Sequence, residues 1–178
     1  MLLDYFLAFC RLVVGFVFLA SFVSKVISFP SLVSTVTAFR VLPASYSRLI
    51  ASLVLAAELG VVSAMALGGQ LLSTGFLLAI LLLSGFTLAL VSILVRKIDT
   101  SCNCFGESHK KVSGYDIVRN LAFLVCAVAG YAVRATLGPA DEGPVSLIVW
   151  ALLAGLAALF VGMGLSLREI VQVLRVSK

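Results

Sequence analysis

Cys102 and Cys104 stand one residue apart in RKIDTSCNCFGESHKKVSG, Arg96 to Gly114, the longest polar passage in a chain that is otherwise almost continuously apolar. Two thiols at this spacing can close a small disulfide ring, but acceptable geometry is hard to reach, so the bond is strained and easily reduced. Strained disulfides are the exchanging ones. Lys97, His109, Lys110 and Lys111 make the surroundings electropositive, which favours the thiolate and hence attack on a partner's disulfide. Asn103 and Gly106 supply turn tolerance, and Phe105 is suited to tuck the loop against the membrane. Two other readings stay open. A Cys-x-Cys pair can hold a soft metal such as Cu(I), or half of a zinc site with His109 as a further ligand, although no second such pair completes a tetrahedral set and no metal is expected. The thiols can also be incidental or merely staple or dock the loop. Cys10 and Cys126 fall inside apolar runs, where cysteine acts mostly as a small hydrophobe.

The elements that carry this loop follow from composition. The 178 residues are 62% hydrophobic and 12% charged, with a mean hydropathy of +1.19, a balance that calls for a bilayer as solvent. Spanning the hydrocarbon core takes about 20 helical residues, and five runs qualify: 4–27, 47–68, 71–95, 115–137 and 145–166. The expected fold is an all-α integral membrane protein, one domain over residues 1–178 built as a compact bundle of about five transmembrane helices. Pro30 and Pro43 punctuate the first loop, Gly68-Gly69 the second and Gly138–Pro144 the fourth. The second loop is short enough to make an antiparallel hairpin. Asp4 occupies the place where a cleaved signal would be basic, so the first run is expected to stay as a membrane helix.

The formal charge of +5 does not point to nucleic acid, because the basic residues sort by membrane face. The first loop, the third loop and the tail hold Lys25, Arg40, Arg48, Arg96, Lys97, Lys110, Lys111, Arg119, Arg168, Arg175 and Lys178; the opposite side has Arg134 and, within the first span, Arg11. The asymmetry predicts a multi-pass protein of the plasma (inner) membrane with its N-terminus outside and the cysteine loop cytoplasmic. The tail LREIVQVLRVSK reads as a short basic helix suited to anionic lipid. Ionisable groups within spans are functional candidates by default. Arg11 and Glu58 are the clear cases, and centring their helices at Gly15 and Ala57 brings the two within about 5 Å in depth, which predicts that they pair. That pair either fixes helix register or binds a quinone carbonyl or relays a proton. Lys25 and Arg119 fall near the inner helix ends, where they can snorkel or line the mouth beneath the cysteine loop.

The order of Arg11, GFVFLASFVSK ending at Lys25, FRVLP, Glu58, CNCFG and VSGYDIVRNLAFL with Arg119 and Asn120 resembles the MauE family of methylamine-utilisation membrane proteins, within a wider DoxX-like group of small helical bundles. The resemblance covers about the first three quarters of the chain, and the Cys-x-Cys-Phe-Gly element is its most specific part. It implies a DoxX-like four-helix core plus one helix, and a role in maturing a disulfide-rich partner together with a thioredoxin-like protein. It also implies that Cys102 and Cys104 are the working pair and that Arg11, Lys25, Glu58 and Arg119 line the site. The expected activity is that of a membrane thiol-disulfide oxidoreductase, with a membrane quinone as a candidate cofactor. The competing expectation is a non-enzymatic subunit or carrier whose loop binds metal or docks a partner.

Overall fold

The computed structural model describes residues 2–38, 46–96, 114–137 and 146–176. These residues form six helices: α1 (Leu2–Ile27), α2 (Phe29–Ala38), α3 (Ser47–Leu67), α4 (Leu71–Arg96), α5 (Gly114–Leu137) and α6 (Leu147–Val176). The fold is an all-α membrane bundle. Four helices, α1, α3, α4 and α5, are long and apolar enough to cross a bilayer, and α6 contributes a shorter apolar stretch at Ile148–Gly164. The tail sequence from Leu167 continues α6 in one helix to Val176.

The short α2 lies inside the segment expected to be a loop. Its Pro30 falls in the first helical turn, where a residue without an N–H loses no intrahelical bond. Ser28 links it directly to α1, donating its N–H to Ser24 O at 3.0 Å and accepting that of Leu32 at 3.1 Å. The expected α3–α4 hairpin is present. It turns on Gly68 and Gly69, at φ of 73° and 59°, a left-handed conformation that favours glycine.

α1 is the central helix, packed against α3, α5 and α6. Leu7, Cys10, Val14, Val17, Ser21 and Lys25 are buried at steps of three or four, so one stripe runs the whole length of the helix. The stripe meets Val61 and Met65 of α3, Phe76 and Leu83 of α4, Phe123 and Ala127 of α5, and Ala157 and Val161 of α6 in one core. Leu53, Leu81, Leu88, Val125, Leu152 and Leu159 point outward and are well exposed, which gives the bundle its lipid-contacting surface.

Between membrane helices, close approach rests on small residues. A Cβ at Gly130 would lie 2.6 Å from the Phe76 ring and 3.0 Å from Cys10 Cβ, whereas one at Gly155 would meet nothing within 4 Å. Gly130→Ala is therefore expected to destabilise the bundle by about 1–3 kcal/mol through overpacking, and Gly155→Ala to leave stability nearly unchanged. Thermal unfolding of the two variants side by side in detergent checks this; equal melting temperatures would refute the close contact.

Candidate functional site

A polar layer crosses the bundle between α1 and α3. Lys25 Nζ forms an ion pair with Glu58 Oε1 and donates to Ser21 Oγ at 3.0 Å. Ser21 in turn donates to the same Glu58 oxygen at 2.9 Å. Ser21 and Lys25 are 1% exposed and Glu58 is 0% exposed, so the ionic groups are sealed from lipid and water alike. The ammonium also sits 4.1 Å from the centroid of the Phe86 ring on α4, whose negative face stabilises it. Glu58 Oε2 is buried and has no hydrogen-bond partner among the described residues, an uncommon state for a buried carboxylate oxygen.

Next to Phe86, Thr87 joins a second set of contacts between α4 and α5. Asn120 Nδ2 donates to Leu83 O at 2.8 Å and to Thr87 Oγ1 at 2.7 Å. Asn120 Oδ1 is likewise buried without a partner among the described residues. Both sets lie toward one end of the bundle. Asn120 is six residues into α5 and Thr87 nine residues before the end of α4, about 9 and 14 Å of helix from where the cysteine segment joins. The loop residues Cys102, Cys104 and His109 themselves lie outside the described residues. They connect α4 to α5 at the end of the bundle that also carries the C-terminus of α1, with Lys25 in its last turn.

Arg119 is near the same end, 3.5 Å from Asp116 across one turn of α5 and partly exposed. A cleft of about 390 Å³ opens between α2 and α3, lined by Phe29, Pro30, Val33, Arg48 and Ser52.

Arg11 is elsewhere. Its Nε donates to Met65 O at 2.5 Å and its Nη2 to Ala66 O at 3.0 Å, and the guanidinium stacks 5.4 Å from the Trp150 ring centroid. Arg134 does similar work beside it, donating from Nη2 to Gly69 O at 2.9 Å. Both cations thus serve carbonyls at the α3 C-terminus and its turn, where the helix dipole is negative. A Cβ at Gly68 would fall 2.7 Å from Arg11 Nη2, so the turn glycine also makes room for the guanidinium.

The expected Arg11–Glu58 pair is therefore not formed, and its replacement has a geometric reason. α1 and α3 are not centred on one plane: Gly15 packs against Met65 and Ser21 against Glu58. Glu58 is level with a residue ten positions after Arg11, about 15 Å along the helix. Lys25 does not snorkel; it turns inward and takes the carboxylate. Arg48, Ser21, Phe86 and Thr87 were not singled out by sequence reasoning. Ser21 carried a usable signal, since it precedes Lys25 by four residues on the same helix face.

The fold and site together define a multi-pass helical membrane protein with an ion pair buried between its first and third helices. The profile of one family, described as methylamine utilisation protein MauE, matches residues 3–133, and the chain belongs to that family. Neither a curated protein nor a solved structure matches it. The matched region runs from α1 into the last turn of α5 and leaves α6 outside.

Proposed function

We propose that this protein is a membrane thiol-disulfide oxidoreductase working through Cys102 and Cys104, with a thioredoxin-like or other dithiol protein as its partner. A partner thiolate attacks one sulfur of the loop disulfide, giving a mixed disulfide and releasing the other loop thiolate. The partner's second thiol then resolves the mixed disulfide. The partner leaves oxidised by two electrons, and the loop holds them as a dithiol; the exchange is reversible. The observation that carries the reading is the Cys-x-Cys pair in a basic segment of a MauE-family membrane protein. That segment joins α4 and α5, the helices that bring Phe86 and the buried Asn120 toward the same end of the bundle as the Lys25–Glu58 layer.

The acceptor or donor of these electrons in the bilayer is proposed to be a quinone, which when bound supplies two-electron chemistry. The donor set suits such a ring. Arg48 and Ser52 put polar groups beside the apolar Phe29, Pro30 and Val33 in a cleft of about 390 Å³, within the usual size of small-molecule sites. Lys25 offers an N–H and Glu58 Oε2, which has no partner among the described residues, an acceptor deeper in the same half of the bundle, suited to holding a proton near the site. Arg119, paired with Asp116 in the first turns of α5, adds positive charge at the end of the bundle where the cysteine segment joins. The charge asymmetry of the sequence favours a plasma-membrane protein with the loop on the cytoplasmic side.

The test is the redox state of the loop pair in intact cells and in inverted vesicles, labelled with a membrane-impermeant maleimide with and without prior reduction. A pair that becomes labelled only after reduction, and only in one orientation, supports both the exchange and its side. Thiols that stay fully reduced under oxidising challenge would sink the reading.

A further inference from the structure

The chain has four cysteines, and the two outside the loop also form a pair. Cys10 on α1 and Cys126 on α5 lie 116 positions apart in sequence, yet Cys126 packs against the buried cluster that holds Cys10 and the two thiols are neighbours in the bundle. Gly130 explains the approach. It is one turn beyond Cys126 on the same face of α5, and its missing Cβ would lie 3.0 Å from Cys10 Cβ. α1 and α5 thus approach closely one turn away from Cys126, which puts the two cysteines on facing helices at a close crossing. Cys10 is fully buried and faces the core rather than lipid. Cys126 is only partly buried, and its helix neighbours Val125 and Val128 are 67% and 47% exposed, so molecules dissolved in the acyl chains can reach this side of the pair.

We propose that Cys10 and Cys126 are a second, intramembrane redox site that closes to an interhelical disulfide in reaction with a lipid-dissolved quinone. The two thiols give up two electrons and two protons, an S–S bond forms, and the quinone leaves as the quinol. Closure ties the central helix to α5 in mid-membrane. The pair is distinct from the loop cysteines: Cys126 stands twelve positions into α5 from Gly114, about 18 Å of helix.

The experiment uses the full chain carrying Cys102→Ser and Cys104→Ser, in lipid nanodiscs, so that its outcome is independent of the loop reading. The probe is a short-chain ubiquinone. The expected result is loss of two thiols per chain, a tryptic Cys10–Cys126 disulfide-linked peptide seen by mass spectrometry, and about one quinol formed per chain by absorbance, following the two-electron stoichiometry. Adding Cys126→Ala is expected to lower quinol formation at least tenfold. Thiols that persist after quinone treatment in the folded Cys102→Ser, Cys104→Ser protein overturn the proposal, and so does a bond that forms only with diamide.

Discussion

Lys25→Met is expected to destabilise the bundle by about 3–5 kcal/mol, because it leaves the Glu58 carboxylate buried without its counter-ion. The side chains are matched in length, so the loss is electrostatic rather than steric. Ser21 remains as a donor to Glu58 Oε1, but one neutral hydroxyl replaces an ammonium, and Oε2 has no partner among the described residues. Glu58→Gln alone is expected to be milder, since the amide keeps a hydrogen-bonding group at the site while the Lys25 ammonium keeps Ser21 and the Phe86 ring. The informative variant is the double one. Lys25→Met with Glu58→Gln is expected to recover most of the stability, as paired removal of buried charges often does. Unfolding of all four proteins in mixed micelles measures the cycle. If the double variant is as unstable as the sum of the singles, the ion pair is not the coupling between them. Should the double variant be stable yet fail in thiol-dependent quinone reduction, the pair acts in the reaction and not only in packing.

The second large effect concerns the loop. Cys102→Ser and Cys104→Ser, singly or together, are expected to remove thiol exchange almost completely, by a factor of 10² or more, because the hydroxyl that remains is not an exchanging nucleophile at neutral pH. The single variants should differ from each other in one respect. Whichever retains the attacking sulfur will accumulate a mixed disulfide with its partner, since the resolving thiol is missing, and the other will not. Capture of that adduct on a non-reducing gel, released by dithiothreitol, identifies both the nucleophile and the partner. Activity that survives the double substitution would leave the loop cysteines as staples or docking groups.

Much of this architecture can be read in the amino-acid sequence, for a plain reason: a bilayer demands long apolar helices, and α1, α3, α4 and α5 have the lengths it dictates. The Gly68-Gly69 hairpin is legible because two consecutive glycines between apolar runs leave few alternatives. α2 is not, because Pro30 reads equally as a loop breaker or as a first-turn residue. The buried charges could be named but not paired. Depth along a single helix follows from counting, whereas the offset of α1 against α3 depends on how Gly15, Met65 and Ser21 pack, which hydropathy does not encode. The same limit hid Cys10 from Cys126, whose meeting depends on the cavity left by Gly130.

The Lys25–Glu58 pair has a further consequence in the order of synthesis. Lys25 leaves the ribosome 33 residues ahead of Glu58, so α1 meets the bilayer while its partner carboxylate is still held back in the ribosome. A lysine at mid-membrane depth raises the insertion free energy by about 2.5–3.5 kcal/mol, but Lys25 lies in the last turn of its helix, from where its stem can carry the ammonium up to the headgroups. Arrival of α3 then draws the charge inward. The ion pair is in this sense a latch set during biogenesis, and a nascent chain stopped before Glu58 should hold its first helix at a shallower position than the finished protein does.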